Sequence, residues 1–194
     1  MSLLVPWSAH DTAFIVPSCL GLAVIDATVK LTGHNDRIAL KWPNDLVVRL
    51  SGRKLGGLLS EAVHKSGSLV GIVCGVGVNV TWPMLGDEVD ESLSDATCLA
   101  AFVDAAPPLR EFAQAIVGSF DYWLSVVEQH GIDPVLIRYR QQCATLGRSI
   151  ELRTETEVVI GVAVDVSDNG HLVVETDAGL RNFSTGDVTR VRSP

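Results

Sequence analysis

The chain has 194 residues, enough for one medium domain plus a small one, and 47% of them are apolar, so a buried core is available and wholesale disorder is excluded. A net charge of −8 disfavours broad nucleic-acid binding, which needs a basic face, but leaves room for a local basic site that holds a nucleotide. Cys19, Cys74, Cys98 and Cys143 lie far apart, with no CxxC pair and no histidine at ligand spacing, which points to reduced buried thiols rather than to a zinc site or a disulfide framework.

In chain order, residues 3–5 form a short apolar piece of strand. A helix is expected over about 12–31, with Leu20, Ala23, Val24, Ala27 and Leu31 on one face and Gly33 as its stop. Asp26 interrupts its apolar run, and no stretch reaches the roughly 18 consecutive apolar residues of a membrane span, so a core helix is expected and no membrane partner. The middle of the chain reads as strands: 38–41 and 46–50 joined by Pro43-Asn44-Asp45, then 54–63 and 69–80 joined by Ser66-Gly67-Ser68. Residues 82–95, with Asp87, Glu88, Asp90, Glu91 and Asp95, read as a solvated acidic loop.

The clearest helix covers 109–129, where Leu109, Phe112, Ala113, Ile116, Phe120, Leu124 and Val127 recur at helical spacing and Gly131 marks the end. Asp133 is expected to cap a following helix that starts on Pro134 and reaches about Cys143. After Gly147 the period changes to two. Five short strands are expected at 150–153, 158–166, 172–175, 180–183 and 188–191, with turns at Asp168-Asn169-Gly170, Asp177-Ala178-Gly179 and Thr185-Gly186-Asp187, which suggests a small barrel. The expected fold class is therefore α+β: a mixed, largely antiparallel sheet with helices packed on it over residues 1–146, then a small β-barrel over 147–194.

Chemistry concentrates between Lys41 and Asn79. Two lysines, an Asn44-Asp45 pair at a proline turn, Gly56-Gly57 inside one strand and Gly75-Val76-Gly77 inside the next fall within about 40 residues. Glycine inside a strand costs stability and usually marks close approach of a ligand or another backbone, so the two strands outline a groove with a flat floor. Each piece taken singly also reads as ordinary structure: Pro and Asn-Asp are common turn residues, and no helix follows Gly75-Val76-Gly77 to make it a phosphate fingerprint.

Three blocks in order carry a resemblance: Lys41-Trp42-Pro43-Asn44-Asp45, then Arg53-Lys54-Leu55-Gly56-Gly57-Leu58-Leu59-Ser60-Glu61, then Gly75-Val76-Gly77-Val78-Asn79-Val80. They resemble the signature blocks of biotin–protein ligases. Ala96-Thr97-Cys98-Leu99 is similar to a fourth, weaker block, and the strand-rich tail ending Gly186-Asp187-Val188 is similar to that family's C-terminal SH3-like domain.

The resemblance implies formation of biotinyl-5′-AMP from biotin and ATP with Mg2+, followed by transfer of biotin to a lysine of a biotin carboxyl carrier domain, in the cytoplasm. It assigns Lys54 to the cation between biotin's carboxylate and the α-phosphate, and Asp45 to the group that orients or deprotonates the acceptor lysine. Lys41, Asn44, Gly75, Val76 and Asn79 would face the adenylate; Lys54, Gly57, Leu59 and Val78 would line the biotin pocket; Trp42 would pack beneath the turn. The family's upstream Ser-Thr-Asn block and Gly-Arg-Gly-Arg-type loop have no counterpart here, so an N-terminally truncated catalytic domain with lost or weakened activity is expected. Such a domain exposes sheet, and a homodimer or other self-association follows. The alternatives are a non-catalytic biotin- or adenylate-binding module and, less strongly, a lipoate-type ligase.

Overall fold

The computed structural model describes residues 1–9, 12–34, 36–81 and 95–190, and the acidic loop expected at 82–95 lies outside them except for Asp95. The first half builds a five-stranded sheet in the order β1-β5-β4-β3-β2, from β1 (Ser2–Pro6), β2 (Ile38–Lys41), β3 (Asp45–Val48), β4 (Lys54–Lys65) and β5 (Ser68–Val78). Every one of these pairings is antiparallel, in line with the largely antiparallel sheet expected. Ser66 and Gly67, both at positive φ, turn β4 into β5 and fix a hairpin in which Gly57 faces Gly77 and Leu59 faces Gly75.

Side chains alternate across a strand, so this register sorts the sheet into two faces. Leu46, Leu58, Ile72, Cys74 and Val76 point to one face and are buried there beneath α1 (Ile15–Thr32). Asp45, Gly57, Leu59, Gly75 and Gly77 belong to the other face, where Leu59 is 64% exposed.

Helix α1 departs from expectation. A single buried stripe was anticipated, yet Ile15, Val16, Leu20, Leu22, Ala23, Val24, Ile25 and Ala27 are all buried, because α2 (Leu109–His130) and α3 (Asp133–Gln142) cover the side turned away from the sheet. The helix is long and apolar enough to cross a membrane by composition, but its burial between sheet and helices makes it the centre of the core. Trp123 of α2 donates its indole N–H to Asp26 at 2.8 Å, which gives the one acidic residue of α1 a partner. In α3, Asp133 is the first helical residue, Ile132 occupies the cap position, and no side-chain cap forms.

The second half forms a five-stranded antiparallel sheet in the order β10-β6-β7-β8-β9, from β6 (Ser149–Arg153), β7 (Val158–Val166), β8 (Leu172–Thr176), β9 (Gly179–Phe183) and β10 (Asp187–Arg190). All five fall where period-two alternation places them. The first sheet is tied to the segment that leads from α3 into the second one, where Leu40 and Cys143 form a parallel bridge and Ala144 donates to the Leu40 carbonyl at 2.7 Å. All four cysteines are free and buried.

Candidate active site

The site is assembled by pairing register. Lys41 is the last residue of β2 and pairs with Asp45, the first residue of β3; Asp45 in turn pairs with Gly57 on β4, and Gly57 with Gly77 on β5. One row across the sheet therefore carries a lysine, a carboxylate and two glycines. Lys54, three residues before Gly57, folds its stem back over that glycine, since a Cβ added to Gly57 would meet Lys54 Cε at 3.9 Å and Asp45 Oδ1 at 3.8 Å.

Asp45 sits between two cations. Its Oδ1 lies 2.5 Å from Lys54 Nζ and its Oδ2 lies 3.7 Å from Lys41 Nζ. The Asp45 side chain is 19% exposed and that of Lys54 54%, so the carboxylate is sheltered while the ammonium of Lys54 remains in reach of a ligand. Two cations against one anion leave a local excess of positive charge in a chain of net charge −8. Anionic ligands are the species such a site attracts.

Beside these charges lies a shallow groove of about 300 Å³, lined by Ser2, Gly57, Leu59, Gly75 and Gly77. The glycines are required for two separate reasons. Gly56 is packed backbone to backbone: an added Cβ would stand 2.1 Å from the Gly77 carbonyl oxygen. At Gly77 nothing lies within 4 Å, so its missing side chain leaves open space above the strand. A larger cleft of about 430 Å³ opens on the helix side of the sheet, but among the described residues no lysine, arginine or carboxylate lines it, whereas Lys54 and Asp45 stand beside the glycine groove.

Not every expected site residue faces that groove. Val76 is buried in the core, and Val78, paired with Gly56, lies on the same face as Val76; both can offer the groove only their main chain. Asn44 donates to the Leu58 carbonyl at 3.0 Å while Leu58 N–H donates to the Asn44 carbonyl at 2.8 Å, which fastens the 41–45 turn to β4. Asn79 donates to the Thr97 carbonyl at 3.1 Å.

That last bond leads to the fourth, weaker block of the sequence. Residues 95–97 run along Lys54: Lys54 N–H donates to the Asp95 carbonyl, Thr97 N–H donates to the Lys54 carbonyl, and Arg53 donates to the Ala96 carbonyl. The weak Ala96-Thr97-Cys98-Leu99 block is thus a strap that fixes the backbone of Lys54. Trp42, 1% exposed, packs beneath the turn as expected, and its peptide bond to Pro43 is cis. Among the described residues no group of three His, Cys, Asp or Glu side chains could hold a metal ion.

Comparison with known proteins agrees with this geometry. The family model described as the Biotin/lipoate A/B protein ligase family matches residues 1–79, and the model described as the Biotin protein ligase C terminal domain matches residues 145–190. The chain is 31% identical over 175 residues to the biotin–[acetyl-CoA-carboxylase] ligase of Mycobacterium tuberculosis, covering 89% of this chain and 60% of that protein. It is 26% identical over 167 residues to the enzyme of the same name from Paracoccus denitrificans, covering 86% of this chain and 69% of the relative. The Aquifex aeolicus biotin protein ligase solved in complex with biotin and ATP shares the fold, with a TM-score of 0.72 and 21% identity over 99% of this chain and 79% of that one. The two models bracket the chain, and the lysine–aspartate–glycine site lies in the part the first one matches: the chain belongs to the biotin protein ligase family.

Proposed function

We propose that this chain joins biotin to ATP as biotinyl-5′-AMP and passes the biotin to a lysine of a biotin carboxyl carrier domain in the cytoplasm. The observation that carries the reading is the Lys54 ammonium, held beside a glycine-floored groove by Asp45 at 2.5 Å. In the first step a biotin carboxylate oxygen attacks the α-phosphorus of ATP and pyrophosphate leaves. Two anions must approach, and a cation about 4 Å from a phosphate oxygen offsets about 4 kcal/mol at an effective dielectric of 20. That compares with about 3 kcal/mol for one oxyanion-hole donor. Lys54 is half exposed, so its contribution grows as ligand displaces water from the groove.

In the second step the acceptor amine attacks the acyl carbon and AMP leaves. Asp45 is the group to receive the amine proton once Lys54 has turned to the ligand, with Lys41 keeping the carboxylate in place. Gly57, Leu59, Gly75 and the main chain of Val76 and Val78 floor the biotin site; Lys41, Asn44 and Asn79 sit on the nucleotide side. The Aquifex aeolicus protein solved with biotin and ATP supports this choice of ligands. The division of labour we propose is catalytic over residues 1–146 and SH3-like over 147–194.

Incubation with biotin, MgATP and a carrier domain, read by streptavidin blot, tests the proposal. Labelled carrier that needs both biotin and ATP is expected; a folded chain that labels nothing overturns it.

A further inference from the structure

We infer that the β7–β8 turn of the C-terminal sheet, residues 167–170, is a positioning element for the 41–45 turn, acting through Trp42 and Gly170. The inference rests on the activity proposed above for Lys41, Asp45 and Lys54. The 41–45 turn is held from two sides. On one, Asn44 exchanges hydrogen bonds with Leu58 of β4. On the other, Trp42 N–H donates to Thr145 Oγ1 at 3.0 Å and its indole Nε1–H donates to the Gly170 carbonyl at 2.9 Å, both buried. Trp42 lies one residue from Lys41 and three from Asp45, so where the indole sits decides where those charges sit.

The acceptor itself cannot drift. Arg140 of α3 donates through Nε and Nη2 to the Val166 carbonyl at 2.9 and 2.6 Å, and pairs with Asp165 at 2.8 Å and Asp168 at 3.2 Å. Gly170 stands at φ +83°, and a Cβ there would meet Phe14 at 2.3 Å; Phe14 packs edge-on against Tyr139 of α3 with ring centroids 5.1 Å apart. The turn is therefore clamped between helices and offers one carbonyl to one buried donor, and a buried donor left without its acceptor is costly. Neither hydrogen bond of Trp42 reaches the glycine floor on β4 and β5.

That separation makes the proposal testable. Trp42→Phe keeps the ring and deletes the donor. The expected result in the full chain is that kcat for adenylate formation falls about tenfold or more, the size of effect small misplacements produce, while the Kd for biotin stays within about twofold. Loss of biotin affinity in parallel with kcat, or kcat within about twofold of wild type, overturns the proposal. Backbone amide NMR separates this from failure of the activity itself. If the wild-type chain forms no adenylate, the proposed function fails, and the positioning role is then decided by whether Trp42→Phe shifts the amides of Asn44, Asp45 and Leu46. Shifts that stop at residues 143–171 overturn it.

Discussion

One added methyl group has opposite consequences at two neighbouring glycines. Gly56→Ala drives a Cβ to 2.1 Å from the Gly77 carbonyl oxygen, and only separation of β4 from β5 relieves it. A loss of roughly 2–3 kcal/mol is expected, seen as a fall in Tm of roughly 5–10 °C by calorimetry. Gly57→Ala meets nothing closer than 3.7 Å, so its Tm stays near wild type, but the methyl enters the groove beside Lys54. Calorimetric titration with biotin should show about tenfold weaker binding for that variant, in line with a clash worth about 1.4 kcal/mol. Unchanged biotin affinity in Gly57→Ala would remove the glycine floor from the binding site. At Asp45 the two lysine contacts argue for an anchoring role beside the proton-accepting one. Asp45→Asn should therefore slow transfer to the carrier more than adenylate formation, and equal slowing of both in stopped-time assays would argue against the acceptor-side role.

Among the elements, α1 and β5 share a thiol pair with a measurable signature. Burial pushes Cys19 on α1 up to about 12, with the neighbouring Cys74 adding to the effect, and burial pushes Cys74 on β5 up to about 11. Burial also raises Cys143 and Tyr139. A raised acid favours its neutral form in the folded state, so the stability these groups contribute is complete below the ordinary thiol value of 9.0 and is lost as pH climbs toward 11 to 12. Urea midpoints should be insensitive to these groups below about pH 9 and fall between about pH 9 and 12. Native thiols should resist iodoacetamide at pH 8 and react once urea unfolds the chain; rapid labelling of Cys19 in the native protein would contradict its burial.

The same elements show what the sequence disclosed. Turn chemistry at Ser66-Gly67 and at Asp168-Asn169-Gly170 is local, so the β4–β5 hairpin and the C-terminal strands were legible almost to the residue. Helix α1 was not, because its far side is buried by α2 and α3, and no periodicity within 18 residues reports what packs on it later. Lys41, Asp45, Lys54 and the glycines were found through their blocks and are brought together by register. The placement of Val76 and Val78 could have been corrected from alternation alone, since glycines at 75 and 77 put the intervening side chains on the other face. Two links had no signal in the local sequence: Arg53 to Ala96, 43 residues apart, and Trp42 to Gly170, 128 apart.

For the whole molecule, the open face of the first sheet invites association. Strand β1 lies at the sheet edge, and Leu4, Leu59, Val63 and Val70 are exposed on β1, β4 and β5. An unpaired edge beside apolar side chains favours pairing with a second copy. Light scattering after gel filtration should report about twice the 20.8 kDa chain mass at micromolar concentration, and 20.8 kDa at every concentration would remove the dimer. The two halves also work as a unit, because the Trp42–Gly170 bond joins the charged turn to the β7–β8 turn. Proteolytic removal of residues after 146 should therefore impair adenylate formation even though Lys54 and Asp45 remain.

The most direct test of the central claim, that Lys54 beside the glycine groove promotes attack of biotin on ATP, is biotin-dependent exchange of labelled pyrophosphate into ATP. Exchange that requires biotin and Mg2+ and drops roughly 100-fold in a folded Lys54→Ala variant is the predicted result, matching the loss of about 3 kcal/mol of charge stabilisation. No biotin-dependent exchange by the folded chain, or exchange undiminished in Lys54→Ala, would contradict it.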